Sequence, residues 1–297
     1  MCPGSGSIIK ATLHAGYWID YHVHPGYSID AEDTSIFEYC REALRKGLRE
    51  VCLTPHLEVD PRRRHLDWFV RVNGKIVPME NDRWLDCYFR DLEKARAEFS
   101  GAGLAVKAGL EVGFERGAEA AIAKVVGSHP FDFVLGSIHC LEHHAISSLK
   151  ECRAYFARKD LSSLAEDYFG ALQEAVESGL FDCIGHLDLY KRYGYEFFGP
   201  AINDLHRGRV EGIFRAMAGR GTGLEVNTSS RRRGLAEFHP SRDILALAKE
   251  AGMQIFTVGS DAHKKTDLGY CTGEAAQLLN EMGLRVSVFT SRRATIL

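Results

Sequence analysis

At 297 residues the chain is long enough to bury a substantial core, as one large α/β domain or two smaller ones. An apolar share of 45%, a charged share of 26% and a formal charge of −3 give no electrostatic case for a nucleic-acid partner, and no apolar run approaches the ~20 residues needed to span a bilayer. The eight cysteines are scattered without a Cys-x-x-Cys pair and the first seven residues lack the features of a signal peptide, so reduced thiols and a cytoplasmic location are expected.

The first apolar strand, residues 18–24, ends in His22-Val23-His24, with Asp30 six residues further on. Side chains at i and i+2 share a strand face, so both imidazoles can meet one ion. Two histidines are too few ligands for most metals, which makes the other strands decisive. An amphipathic helix over 34–46 leads to a strand over 49–54 and then to Pro55-His56. Residues 57–81 read as irregular, rich in Arg, Asp and Pro, and long enough for a lid or substrate loop. A helix over 82–99 precedes a third strand, 104–110, which closes on Glu111. After a helix over 118–126, the strand 131–138 closes on His139; after a long helix over 161–177, the strand 181–185 closes on His186. A helix over 201–218 and a strand over 223–226 lead to Asn227. A helix over 241–251 and a strand over 254–258 lead to Gly259-Ser260-Asp261-Ala262-His263, and a helix over 273–282 with a strand-like 285–289 completes the chain. Seven strands alternating with helices, without a long linker, predict one parallel α/β domain spanning 1–297.

In β/α barrels, functional groups gather at the C-terminal ends of the strands. Those positions carry His22, His24, Asp30, His56, Glu111, His139, His186, Asp261 and His263. Nine donors on one rim suit two or three ions rather than one. A single histidine at a strand end is more often a hydrogen-bonded rim residue; recurrence on six strands, with a His-x-His and an Asp-x-His pair, points to metal. The other seven histidines, His14, His65, His129, His143, His144, His206 and His239, fall in loops or helices and read as solvated or structural, with His65 and His143 nearest to a substrate role. Mixed imidazole and carboxylate donors suit Zn, Fe or Mn.

His22-Val23-His24 with Asp30, Thr54-Pro55-His56, Gly109-Leu110-Glu111, Gly136-Ser137-Ile138-His139, Gly185-His186 and Gly259-Ser260-Asp261-Ala262-His263 together resemble the polymerase-and-histidinol-phosphatase (PHP) superfamily, in sequence order from about residue 18 to 275. The resemblance implies a distorted (β/α)7 barrel with the metal site at the C-terminal ends of its strands. It implies one ion on His22, His24, Glu111 and Asp261, a second on Glu111, His139 and His186, and a third on Asp30, His56 and His263. Residues 185–194, Leu224 to Ser229 leading to Arg232, and Ser260 to Lys264 are similar to the histidinol-phosphate phosphatase branch. Two departures stand out: many superfamily members carry histidine where this chain has Asp30, and Ser230 stands where the branch more usually has glycine.

The chemistry this implies is hydrolysis of L-histidinol phosphate, in histidine biosynthesis. A metal lowers the pKa of bound water from ~16 toward ~7, which makes a bridging hydroxide available for in-line attack on phosphorus. Asp261 or His263 would protonate the leaving alkoxide. Arg192 and Arg232 follow rim strands and would clamp phosphate oxygens, with Lys191, Asn227 and Lys264 as further substrate contacts. Arg62 to Arg64 either close over the phosphate or keep their loop soluble. The competing readings are a phosphoesterase of the same barrel acting on nucleotides, and a non-catalytic module holding metal only for structure.

Overall fold

The computed structural model describes residues 18–79 and 82–297; His14, Cys2 and the end of the expected loop at Asn81 lie outside them. Seven short apolar runs form β1 (Ile19–Val23), β2 (Glu50–Leu53), β3 (Ala105–Gly113), β4 (Phe133–Ser137), β5 (Cys183–Ile184), β6 (Gly223–Asn227) and β7 (Phe256–Gly259). They lie side by side in that order and every pairing is parallel. Apart from Ala105 and Lys107, every strand residue is buried, the pattern of a parallel sheet covered on both faces. The seam between β1 and β7 is closed just past the strands, where the His24 N–H donates to the Ala262 carbonyl at 2.9 Å and the Ala262 N–H to the His22 carbonyl at 3.3 Å. The result is the expected distorted seven-stranded α/β barrel.

Eight main helices connect or flank these strands: α1 (Ile36–Arg45), α2 (Arg83–Phe99), α3 (Glu119–Val126), α4 (Leu161–Glu177), α5 (Lys191–Phe198), α6 (Val210–Arg220), α7 (Arg242–Glu250) and α8 (Thr272–Glu281). The start of α1 shows the local logic. Ser35 Oγ accepts from the Glu38 N–H and the Glu38 carboxylate accepts from the Ser35 N–H, a capping box, while Ile36, Tyr39, Cys40 and Ala43 bury one stripe. No helix among the described residues is long and apolar enough to cross a membrane.

Two expectations need correcting. The helix over 201–218 is broken: α5 already runs from Lys191, a 3-10 segment spans Gly199–Asp204, Gly208 takes a left-handed φ of 73°, and α6 starts only at Val210. The strand-like 285–289 is a strand over Ser287–Thr290, paired antiparallel with Arg293–Ile296 in a terminal hairpin, and Val286 bridges Phe256 in parallel. The larger change concerns 57–81, whose described residues, 57–79, are not irregular.

A short strand, His56–Glu58, pairs with Glu111–Gly113, so β3 is long because its first half carries β2 and its second half carries this extra strand. Two short helical turns, Pro61–Arg63 and Arg64–Asp67, follow, and then a hairpin, Phe69–Val72 with Lys75–Pro78. Its turn is Asn73-Gly74 with φ of 52° and 74°, the positive pair that a tight two-residue hairpin requires. The exposed strand Lys75–Pro78 explains the loop-like composition. Arg71 ties the hairpin to the loop after β1: Nη1 donates to the carbonyls of Gly26, Ser28 and Ala31 at 2.8, 3.1 and 3.2 Å, and Nη2 to that of Ile29 at 3.2 Å. Arg63 is buried rather than solvated, paired with Asp67 and Glu151 and donating to the His143 carbonyl at 2.9 Å.

Candidate metal centre

Parallel register brings the rim donors together. His56 sits opposite Glu111 in the strand pairing, and Glu111 opposite Leu135, two residues before Ser137. The cavity above the rim, about 820 Å3, is lined by Asp30, His56, Glu111, His139, His186, Asp261 and His263. His22 and His24 lie beneath it, fully buried. All nine expected donors therefore converge.

Glu111 is the hub. Its Oε1 accepts from Ser137 Oγ at 2.7 Å and lies 3.0 Å from His186 Nε2 and 3.2 Å from His139 Nε2. Its Oε2 lies 3.1 Å from His22 Nε2, 3.3 Å from His24 Nε2 and 3.0 Å from His56 Nδ1, yet has no hydrogen-bond partner of suitable geometry among the described residues. His22 Nε2 also faces His24 Nε2 at 3.0 Å, while its Nδ1 is held 2.6 Å from a Glu225 oxygen. With Nδ1 donating to the carboxylate, the His22 Nε2 presents a lone pair toward a second imidazole nitrogen and a carboxylate oxygen. Electron-pair donors that face each other in a buried site repel unless a proton or a cation stands between them, so the residues fit a divalent metal.

Four overlapping groups of donors are close enough to share ions: His22, His24 and Glu111; Glu111, His139 and His186; His24, His56 and His263; and His56, Glu58 and His139; a fifth group, Asp60, Glu115 and His143, shares no residue with them. The first two match the expected partition. In the third, His24 takes part, and Asp30 approaches from the exposed side, its Oδ2 3.4 Å from His56 Nε2 and 3.2 Å from His263 Nε2. Asp261 Oδ1 lies 3.4 Å from His24 Nε2 and 3.3 Å from His263 Nδ1, and Oδ2 turns toward Arg192 at 3.6 Å.

The electrostatics are those of a cation site holding protons. Burial works to raise the Glu111 and Asp261 carboxyls, but neighbouring imidazoles, His22 foremost, hold both well below the usual range. Burial works to lower His139, and Glu111 and Glu58 outweigh it, raising it to about 10. His263 is likewise raised to about 9 against burial by Asp261 and Asp30. Burial and the neighbouring His263 and His56 push His24 well down, leaving it a neutral donor.

Several positioning groups escaped sequence reasoning. Glu225, buried on β6, binds His22 Nδ1 through Oε1, while Oε2 accepts the His186 N–H at 2.8 Å and Asn227 Nδ2 at 3.2 Å. A Cβ on Gly259 would stand 2.4 Å from both Glu225 Oε1 and His22 Cβ, so this contact requires glycine there. Glu58 accepts from His139 Nδ1 at 2.7 Å; lying two residues beyond His56 on a strand, it was findable by period-two alternation. Asp20 on β1 accepts from the Ser260 and Gly269 N–H groups at 2.8 and 2.7 Å, fixing the loop that carries Asp261, whose φ is 55°.

The expected substrate contacts divide. Arg192, Arg232 and Lys264 line the cavity, as does Arg233. Arg192 is mostly but not fully buried, Nη2 donating to Ser229 Oγ at 3.1 Å and Nε without a partner among the described residues. Arg232 is committed elsewhere: Nη1 and Nη2 donate to the carbonyls of Ser260 and Asp261 at 2.5 and 2.8 Å. Two expectations are corrected. Asn227 is fully buried, holding Glu225 and accepting from Ser229 Oγ, and Lys191 pairs with Asp188 at 2.9 Å outside this cavity. Neither His65 nor His143 lines it; His143 binds Asp60 at 2.7 Å. His239 and His206 are buried beside Asp188 and Asp243, away from the metal centre.

A parallel barrel whose rim gathers imidazoles and carboxylates into overlapping triads defines a metal-dependent hydrolase class. The chain belongs to the PHP domain family, whose model matches residues 20–229. It is 33% identical to a Deinococcus radiodurans protein named "Probable histidinol-phosphatase", over 92% of this chain and 97% of that one. It is 28% identical to the Lactococcus lactis histidinol-phosphatase, over 82% of this chain and 84% of the relative. In three dimensions it is similar to the L. lactis histidinol phosphate phosphatase solved with Zn, L-histidinol and phosphate, with a TM-score of 0.78 at 24% identity, covering 94% of this chain and 99% of that one.

Proposed function

We infer that this chain is a metal-dependent phosphomonoesterase that hydrolyses L-histidinol phosphate to L-histidinol and phosphate, a step of histidine biosynthesis. The observation that carries the chemistry is the bare Glu111 Oε2, ringed by His22, His24 and His56 at the floor of a cavity with a mostly buried arginine in its wall. The relatives' names supply the ester. Two or three divalent ions, held by His22, His24, Asp30, His56, Glu111, His139, His186, Asp261 and His263, supply Lewis acidity that activates water and neutralises phosphoryl charge. One continuous core from β1 to the terminal hairpin supports treating 1–297 as a single catalytic unit.

The chain's own groups divide the remaining work. Arg192 is desolvated and has an unpartnered Nε, so its fork is available to two phosphate oxygens. Asp261 turns Oδ1 toward His24 and His263 and Oδ2 toward Arg192, so its ionised carboxylate can take the proton released when water is activated and pass it to the leaving alkoxide, with His263 beside it. Arg232 acts one step back, holding the carbonyls of Ser260 and Asp261 and thereby the strained Asp261 backbone. Lys264 lines the cavity at its outer part as a weaker phosphate contact.

A panel of phosphomonoesters tests this reading, with metal content followed by mass spectrometry. Selectivity for L-histidinol phosphate over mononucleotides is expected, and a preference for nucleotides rejects the substrate while leaving the metal chemistry standing.

A further inference from the structure

Outside the metal centre lies a second cavity of about 1360 Å3, between α5, the segment 235–243 and α7. Arg192 is a wall common to both cavities. Three features set its chemistry. On its inner side His239, 3% exposed, shares Nδ1 with Asp188 Oδ1 at 2.7 Å, and its Nε2 has no hydrogen-bond partner among the described residues. Asp188 is itself held by Lys191 at 2.9 Å and by the Ser241 N–H at 3.2 Å, so the ring is fixed. With Nδ1 donating, Nε2 of the neutral ring is an acceptor with nothing to accept, an arrangement native interiors avoid.

The cavity also carries apolar surface that packing does not use. Phe238 lines it together with Tyr195 and Leu235, which are 50% and 44% exposed. Its lining is net negative: seven of the lining residues are Asp or Glu against four Lys or Arg, and Glu196, Glu237 and Glu250 have no ion-pair partner among the described residues.

We propose that this cavity is a second ligand site, for a small aromatic or heteroaromatic amine. The ring lies against Phe238, Leu235 and Tyr195, a ring N–H donates to His239 Nε2, and the ammonium faces the unpaired carboxylates. The proposal does not depend on which ester the metal centre cleaves.

The test is calorimetric titration of the metal-loaded full chain with tryptamine, which offers a ring N–H and an ammonium but no imidazole to coordinate metal. One equivalent is expected to bind. Leu235→Lys, on the exposed wall, should weaken binding about tenfold or more while leaving phosphatase kcat/KM unchanged, and 1-methyltryptamine, which lacks the N–H, should bind about tenfold more weakly than tryptamine. Absence of binding at millimolar tryptamine overturns the site. So does binding that Leu235→Lys leaves intact, which would place it elsewhere, or equal affinity for indole-3-acetate, which would remove the cationic class. Self-association abolished by Leu235→Lys, with no amine binding, would make the groove a contact between copies and also reject the proposal.

Discussion

His22 depends on a carboxylate that never reaches an ion. Glu225 fixes which imidazole nitrogen carries the proton, and through the His186 N–H it ties two ligand-bearing strands together. Glu225→Ala should therefore lower metal affinity about 10–100-fold, read as metal stoichiometry after dialysis, with Glu225→Gln retaining more because its amide oxygen still accepts from Nδ1. The two arginines should separate. Arg192→Ala is expected to lose orders of magnitude in kcat/KM with metals retained, whereas Arg232→Ala should lose metal along with activity, since its guanidinium holds the Asp261 loop. Equal metal content in both variants would reject that division. The imidazoles add a pH signature. In the metal-free protein His139 and His263 are raised to about 10 and about 9, above the unfolded value of ~6.5. Groups raised on folding stabilise most below the unfolded pKa, and that stability is lost as pH rises through the folded one. Thermal unfolding of the metal-free chain should therefore show Tm falling between about pH 7 and 10, and metal uptake near neutrality should release protons, measurable by calorimetry in buffers of different ionisation enthalpy.

The element that matters most beyond the strands is the hairpin inserted between His56–Glu58 and α2. Arg71 donates to four carbonyls of the loop that carries Asp30, making this insertion a brace for the outer donor group. Arg71→Ala should cost about 2–3 kcal/mol in denaturant unfolding, because several carbonyls lose a charged donor at once. It should also reduce occupancy of the outer site, the group of His24, His56 and His263, before that of the two buried ones. Loss of all metal in parallel would show that the brace acts on the whole rim. Arg63 plays a comparable part on the other side, joining the turn at Pro61–Arg63 to Glu151 in the segment before the helical turn Cys152–Phe156.

At the scale of the whole molecule, the seam and the metal centre are one structure. The strand ends of β1 and β7 meet through His24 and Ala262, whose neighbours His22, Asp261 and His263 are donors. Ions bound there join both sides of the barrel's closure, and their binding energy adds to folding stability as RT ln(1 + [metal]/Kd), about 4 kcal/mol at a thousandfold excess over Kd. Chelation should therefore abolish turnover and lower Tm together, with both restored by Zn, Fe or Mn. A chelated protein with unchanged Tm would place the ions outside the closure.

The sequence by itself determined the seven parallel strands and the rim positions of the candidate donors, because each is written locally, while the closed barrel was implied only by the family resemblance. A buried parallel strand is a short apolar run, and its C-terminal neighbour is on the rim whatever the rest of the fold does, so His56, Glu111, His139 and His186 could be placed by position alone. What only the tertiary structure decided is everything that depends on contacts between distant segments. Glu225 is a single acid in an apolar run until Gly259 and His22 come to face it. Arg232 looks like a phosphate ligand until its fork is found on the carbonyls of Ser260 and Asp261, and Lys191 until Asp188 claims it. The 57–81 segment reads as a loop because one hairpin strand faces solvent, and local composition reports exposure there rather than backbone pairing. Side-chain period and strand-end position are carried by neighbours in the chain; hydrogen-bond partners are chosen in space.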